Sequence, residues 1–355
     1  MSTQDPVQEL KKEIDAIQSS INSLHAKVRL SDARDSVEDL QTRIANLPAK
    51  VKDLRARGYP FEKGLESKAS DFAAQWATMQ ARVLAEIGQQ AMILERALGP
   101  VEEDLRRLVA QASMPAVAQP LLGQVKSAVS TLESKVSAAS SSVYGMYDDL
   151  QVQVQGVFNH LQQIEWALKQ LAEATFQLLP TEAPIMAVKA TWVKGDKEDK
   201  DDPQGMLYLT DQRLLFEQKQ ELATKKVLFI TTQKEKVQQL LLEVPVALVS
   251  NVKATKRGFL SHEDHIELTF SPDAAVEAAH FHIDGQDSNE WQGLIGRAKA
   301  RDFDADRAVA VDKAAVEKVR AAPTACPHCG GALTTQILRG MDSIRCEYCG
   351  KVIRL

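Results

Sequence analysis

Apolar and small residues recur at steps of three and four from Leu122 to Leu178. They run through Leu122, Val125, Val129, Leu132, Val136, Ala139, Val143, Tyr147, Leu150, Val154, Val157, Leu161, Ile164, Leu168, Leu171, Thr175 and Leu178. A stripe averaging about 3.5 residues per step stays turned toward a partner helix along its whole length. It predicts one continuous helix, about 85 Å long at about 1.5 Å per residue. The two successive steps of four, Ala139 to Val143 to Tyr147, have the form of a stutter. The same period runs through Leu10, Ile14, Ile17, Ile21, Leu24 and Val28, and again through Val37, Leu40, Ile44, Leu47, Val51 and Leu54. Between Val28 and Val37 the seam would have to hold Ser31 and Arg34, so a break is expected near Ser31, with Ser31 or Asp32 as the new cap. A third stripe carries Leu65, Phe72, Trp76, Met79, Val83, Ile87, Leu94, Val101 and Leu108.

Pro48 and Gly99-Pro100 lie inside stripes that keep their phase, which predicts kinked helices that continue. Gly58-Tyr59-Pro60 and the stretch from Ser113 to Pro120 read as turns, because glycine and proline there end one helix and disfavour the next. Residues 1–180 are thus expected to form a long antiparallel helical coiled-coil bundle, three segments running up, down and up with turns near 58–60 and 113–120. Stripes that pair between chains have the same period, so self-association through the helices stays open.

At Leu179-Pro180 the period changes to two. Ile185 to Val193, Gly205 to Thr210, Arg213 to Lys219, Lys226 to Thr231, Leu240 to Val249 and Val252 to Lys256 are short β-rich runs divided by turn-forming or charged residues. Ile266, Leu268 and Phe270 point one way, as do Ala279, Phe281 and Ile283. Asp287-x-x-Glu290 has the form of a capping box opening a helix that presents Trp291, Leu294, Ile295 and Ala298 on one face. Strands followed by one amphipathic helix predict a bent antiparallel sheet capped by its C-terminal helix over residues 183–300.

Charge narrows the function classes. The net charge of -5 divides into -3 for residues 1–180, -4 for 181–300 and +2 for 301–355, so no domain is strongly basic and nucleic acid is disfavoured. Met1 to Ile14 is polar, and no run reaches the roughly 18 apolar residues of a spanning helix. A cytoplasmic protein, at most peripheral to a membrane, is expected. The chain carries no Walker-type phosphate loop, Gly-x-Ser-x-Gly elbow, His-Glu-x-x-His pair or dinucleotide glycine pattern, so an enzyme is not expected.

Gly205-Met206-Leu207-Tyr208-Leu209-Thr210-Asp211-Gln212-Arg213-Leu214-Leu215-Phe216 resembles the G-x-L-Y-L-T-x-x-R-L-x-F hairpin of GRAM domains, which share the pleckstrin-homology-like fold. Val244 to Val252 resembles that family's next hallmark, and the Trp291 helix resembles its closing helix. The resemblance implies a non-catalytic binding platform for membrane lipid or for protein. The loop Lys194 to Asp202 carries three lysines against Asp196, Glu198, Asp199, Asp201 and Asp202, a poor cradle for an anionic headgroup. Lys253, Lys256 and Arg257 beside Phe259 and Leu260 form the candidate contact for a partner or for weak attachment to an anionic membrane. His265, Glu267, His280 and His282 should share the outward face of one hairpin, solvated and paired with Glu267, a surface metal site being the alternative.

All four cysteines fall near the C-terminus, as Cys326-Pro327-His328-Cys329 and Cys346-Glu347-Tyr348-Cys349. Two Cys-x-x-Cys knuckles at this spacing present four thiolates to one tetrahedral Zn²⁺, a structural site because the four ligands saturate the metal. The segment resembles zinc ribbons, with Leu333 to Leu338 and Ser343 to Arg345 as a hairpin around Gly340 and Lys351 to Arg354 as a third strand. The expected chain is therefore a multidomain α + β protein: helical bundle 1–180, GRAM/pleckstrin-homology-like domain 183–300, linker 301–323 and zinc ribbon 324–355. A scaffold or adaptor with a protein partner is the first functional expectation, and a nucleic-acid- or transcription-associated zinc-ribbon protein the alternative.

Overall fold

The computed structural model describes residues 6–227, 230–258 and 262–355, with the backbone alone described for 222–227 and 230–235. The chain divides into two compact units, residues 1–48 with 67–158 and residues 49–66 with 159–355.

The first unit is helical. It draws on α1 (Pro6–Lys27), α2 (Ser31–Ala56), α3 (Leu65–Ala110), α4 (Pro115–Tyr144) and α5 (Asp148–Ala172). Helix α1 buries Leu10, Ile14, Ile17, Ile21 and Leu24, the positions of its stripe. The expected break falls at residues 28–30, where Leu30 adopts φ 53° and is only 2 % exposed. A left-handed residue there turns an apolar side chain into the core and resets the stripe at Ala33 and Val37. Pro48 and Pro100 lie within α2 and α3, which run through them.

Side-chain pairs fix the direction of the arms. His25 meets Glu102 at 3.0 Å, Arg29 meets Glu95 at 3.4 Å and Gln41 meets Gln80 at 2.7 Å, so α3 runs opposite to α1 and α2. Glu13 meets Lys126 at 3.0 Å, and Arg43 lies 5.7 Å from the Phe158 ring centroid, so α4 and α5 run parallel to α1 and α2.

The single helix expected from Leu122 to Leu178 is not what forms. Helix α4 stops at Tyr144, α5 starts at Asp148, and α5 ends at Ala172. Between them Met146 donates to the Val143 carbonyl and Tyr147 to that of Tyr144, bonds of the tighter i to i-3 kind. The break lies within the pair of four-residue steps. Two such steps carry the stripe away from the core, and a tightened turn brings Tyr147 back to 1 % exposure. Past Ala172 the stripe residues Thr175 and Leu178 belong to a strap, residues 173–183, that lies on the sheet of the second unit.

That sheet has seven strands in the order β4-β3-β2-β1-β7-β6-β5, every neighbour antiparallel. They are β1 (Pro184–Trp192), β2 (Gln204–Thr210), β3 (Arg213–Val227), β4 (Ile230–Pro245), β5 (Val249–Arg257), β6 (Glu263–Phe270) and β7 (Ala278–Asp284). Trp192, Phe216 and Phe281 pack ring to ring inside, with centroids 5.1 to 5.8 Å apart. Helix α6 (Ser288–Ala300) buries Trp291, Ile295 and Ala298. Gly205 is required where β2 crosses β3, because a Cβ there would stand 1.9 Å from the Glu217 carbonyl oxygen.

Three strand assignments are corrected. Lys226 to Thr231 is not a separate strand but the end of the β3–β4 hairpin, which stays paired out to Val227 and Ile230. Its polar run looks like a divider in sequence, yet backbone pairing needs only a register. Leu240 to Val249 is broken by a 3-10 turn at Val246–Leu248 that follows Pro245, whose missing N–H favours the end of a strand. In the tail, β8 (Ser343–Arg345) pairs with β9 (Val352–Arg354), and Leu333 to Leu338 forms no strand. The chain at 337–340 lies against the strap instead, with Gly340 so close to Pro180 that a Cβ would meet its Cδ at 2.8 Å. Two short helices, α7 (Asp302–Ala305) and α8 (Lys313–Arg320), lie between α6 and the tail.

Candidate metal centre and contact surface

The two Cys-x-x-Cys turns are built alike. Cys326 N–H donates to the Gly331 carbonyl and Gly330 N–H to that of Cys326, while Cys346 donates to Lys351 and Gly350 to Cys346. Gly330 and Gly350 take φ 74° and 70°, which glycine adopts without strain and which turns each loop back over its own cysteines. Cys326, Ile344, Cys346 and Ile353 form a small buried cluster with Leu333, Ile337, Met341 and Leu355 beside it.

The sulfur atoms of Cys326, Cys329, Cys346 and Cys349 all lie within 4.8 Å of one another. Cys326 stands 3.7 Å from Cys349, and Cys329 stands 3.7 Å from Cys346. A tetrahedral ion with metal–sulfur bonds of about 2.3 Å sets its ligands about 3.8 Å apart, whereas a disulfide needs about 2.05 Å. The residues therefore fit a metal ion. The His328 amide donates to Cys326 Sγ at 3.4 Å. Burial opposes ionisation of Cys326, but the His328 and Cys329 amides and the neighbouring thiols outweigh it and bring the thiol down to about 7. Among the described residues these four form the one group of three or more His, Cys, Asp or Glu side chains whose ligand atoms converge.

The tail is fastened to the sheet through a carboxylate. Asp211, in the β2–β3 turn, receives the Ala183 amide at 2.8 Å and faces Arg307 and Arg339, each at 2.5 Å. Its side chain is 3 % exposed. Burial pushes its carboxyl up, and the Ala183 amide and the two arginines pull the other way without reversing the shift. Asp304 also holds Arg339 at 3.0 Å. Phe303 packs on Phe61, and Arg307 lies 4.8 Å from the centroid of the same ring.

A second network holds the strap. Glu217, 0 % exposed, accepts hydrogen bonds from the Thr175 amide and hydroxyl, each at 2.6 Å, and from Gln238 at 3.2 Å. Burial first, then the Glu217 charge, hold the Tyr208 hydroxyl far above its ordinary range. Arg213 donates to Glu182, to Glu243 and to the Gln177 carbonyl, while Thr210 donates to Glu182 at 2.6 Å. Sequence reasoning missed these groups as functional. The signal available was a carboxylate, Glu217, directly after the apolar run Leu214-Leu215-Phe216.

The candidate contact cations are already occupied. Lys253 stands 3.6 Å from Glu267, Lys256 is held by Asp264 and Asp287, and Arg257 is held by Glu267. Phe259 and Leu260 lie outside the described residues. The β1–β2 loop folds on its own acid, with the Asp202 carboxylate accepting from the Lys194 and Asp199 amides. His265, Glu267, His280 and His282 do share one face, but the pairing differs from expectation. Glu267 is taken by the cations, His265 is buried at 4 % exposure, and its Nδ1 lies 3.0 Å from His280 Nε2.

No family model matches the chain, and no curated protein matches it. Solved structures with pleckstrin-homology domains align with it at low similarity. A DUF1696-family protein with a pleckstrin-homology domain from Shewanella loihica PV-4 is 13 % identical, covers 39 % of this chain and 92 % of its own, and has a TM-score of 0.23. The DH/PH domains of PDZ-RhoGEF in complex with activated RhoA are 12 % identical over 81 % of this chain and 94 % of theirs, at TM-score 0.26. The linker-DH/PH domains of p115-RhoGEF are 11 % identical over 82 % and 98 %, at 0.22.

Proposed function

We propose that the chain is a non-enzymatic cytoplasmic adaptor, in which a coiled-coil bundle carries a GRAM-like binding module and a zinc ribbon. One observation carries the reading. The polar residues of the Gly205–Phe216 hairpin, Tyr208, Thr210, Asp211 and Arg213, are spent on holding the last turn of α5, the strap, the linker and the tail against the sheet. A module whose motif residues clamp neighbouring segments is suited to assembling parts rather than to turning over a substrate.

The metal is zinc in this reading. Four thiolates in tetrahedral array favour it among the common divalent ions, and such a site leaves no position for substrate. Bound there it supplies folding free energy, while Cys326 and Cys346 supply the buried pair of ligands and Cys329 and Cys349 the exposed pair. Because Lys253, Lys256 and Arg257 each face a carboxylate, attachment to an anionic membrane at neutral pH is weak and depends on several copies acting together.

The test is sedimentation of the purified full chain, alone and with vesicles containing phosphatidylserine. The expected result is self-association, with vesicle binding that weakens about tenfold or more when the protein is diluted to monomer. Tight, headgroup-selective binding by the monomer would overturn the proposal, as would turnover of a substrate at the sheet.

A further inference from the structure

The outer face of β5, β6 and β7 carries three imidazoles in contact. His265 and His282 stand opposite each other in register, with rings 4.7 Å apart and 22° from parallel. His265 and His280 have ring centroids 5.1 Å apart, and the 3.0 Å between Nδ1 and Nε2 is a hydrogen bond that needs one donor and one acceptor. Only one proton fits between them. If both rings were protonated, N–H would face N–H and the pair would have to part.

The groups around them offset only part of such a charge. From β5, Lys253 and Arg257 face the cluster, with Thr255 opposite His265. From β6 come Glu263 and Glu267. Glu263 stands 3.6 Å from His265 Nε2, an atom that makes no hydrogen bond, and Glu267 is held by Lys253 and Arg257. From the β1–β2 loop Glu198 reaches His282 Nδ1 at 2.5 Å. Farther along the face, Asp284 of β7 pairs in register with Lys189 of β1, and His262 lies exposed just before β6. Apart from His262, the three cations, Lys189, Lys253 and Arg257, stand against four anions, Glu198, Glu263, Glu267 and Asp284, a net of -1 with neutral imidazoles. Protonating His265 and His280 would make it +1.

We propose that this face is a proton-gated contact for anionic phospholipid, closed while His265 and His280 are neutral and packed on each other and on His282, and opened when acid charges them. The proposal rests on the membrane arm of the adaptor reading and names its regulation. Desolvation first, then the neighbouring His282 and Arg257, hold His265 below the usual histidine range. Desolvation and Arg257 do the same for His280. The gate is thus shut at neutral pH, where the face has no net attraction for phosphate. In acid, the added charges on His265 and His280 bring attraction, and the same charges repel each other and loosen the strands that hold them. Convergence on a metal is not the use of these rings, since their nitrogens bond to one another and to carboxylates.

The test is co-sedimentation of the full chain with phosphatidylserine/phosphatidylcholine vesicles and with pure phosphatidylcholine vesicles, at about pH 7.5 and about pH 5.5. Binding to the anionic vesicles should tighten at least about tenfold on acidification, fall again with salt, and be absent on phosphatidylcholine. In a His280→Gln/His282→Gln chain the acid-induced gain should disappear. Histidine C2-proton titration of the wild type supplies a readout independent of lipid, with two rings expected to titrate below the ordinary histidine value. Equal binding at both pH values would leave the adaptor reading and remove the gate. A gain that survives in the double variant, or that appears equally on phosphatidylcholine, would also remove it. If the rings titrate as expected but neither condition gives binding, the membrane arm falls and the gate with it.

Discussion

Ile21, Leu24, Leu40 and Leu47 of the helical unit are each no more than 2 % exposed, and each does the same work as the others. Asp211, Arg213 and Glu217 of the sheet are buried too, and none has a substitute. The stripe spreads its free energy over many similar contacts, so the loss of one is local and graded. The sheet and tail concentrate theirs in a few charged or metal-binding groups, where removing one member strands its partner in low dielectric. Helices are thus set by a repeat, and the segments around the sheet by single events.

The largest test of that difference is metal removal. A small hairpin with one short apolar cluster has little core of its own, so a metal ion at the four cysteines, worth about 10 kcal/mol or more in apparent binding if it is zinc as proposed, should supply most of its folding free energy. Chelation, or Cys346→Ser, should expose residues 324–355 to hydrogen exchange and leave helical circular dichroism nearly unchanged. Fresh reduced protein that contains no tightly held metal by elemental analysis would sink this expectation.

Next is Leu150→Asp, which places a charge at a site 3 % exposed and should cost about 4 kcal/mol by chemical denaturation. A variant that melts like the parent would show that the stripe is not a dry seam. The sheet counterpart is Asp211→Asn. It keeps the shape and the Ala183 amide bond but leaves Arg307 and Arg339, 7 % and 15 % exposed, sharing the single carboxylate of Asp304, 3.6 and 3.0 Å away. About 3 kcal/mol is expected, with faster exchange in the tail as well as in the β2–β3 turn. Loss of stability without any change in the tail would mean that Asp211 does not fasten the two together.

These two substitutions also mark what the sequence made legible. Leu150 could be placed in a core from its neighbours at three and four residues, because periodicity is a local property. The four cysteines were legible for the same reason, their spacing being the site. Asp211 could be placed only in a turn, since Arg339 is distant in sequence and no short-range rule links them. The break at Gly145 lies in view as a stutter inside a stripe that predicts one continuous helix, because the choice between continuing and breaking a helix depends on packing. The histidine face followed from strand alternation, whereas the burial of His265 by His280 and His282 did not, since alternation assigns a face and not what covers it.

The smallest effect expected is at Asp287, the cap of α6. Its carboxylate accepts from the Asn289 amide at 2.7 Å and from that of Glu290 at 3.4 Å, and Lys256 holds its other oxygen at 2.9 Å. The Lys256 bond first, then the Asn289 amide, bring its carboxyl down to about 2. Asp287→Ala should cost about 1 kcal/mol, the usual worth of a side-chain cap, because Trp291 and Ile295 still bury the helix without it. The sign of the pH dependence follows from the shift. A carboxylate lowered on folding stabilises fully above its unfolded value of about 3.9, and that contribution is lost as pH falls through about 2. Denaturation curves of parent and variant should therefore differ most near neutral pH and converge in strong acid. Curves that stay equally far apart at both extremes would show that the side chain matters here through its packing, and that even this exposed carboxylate belongs with the repeated contacts of the helices rather than with the single charged fastenings of the sheet.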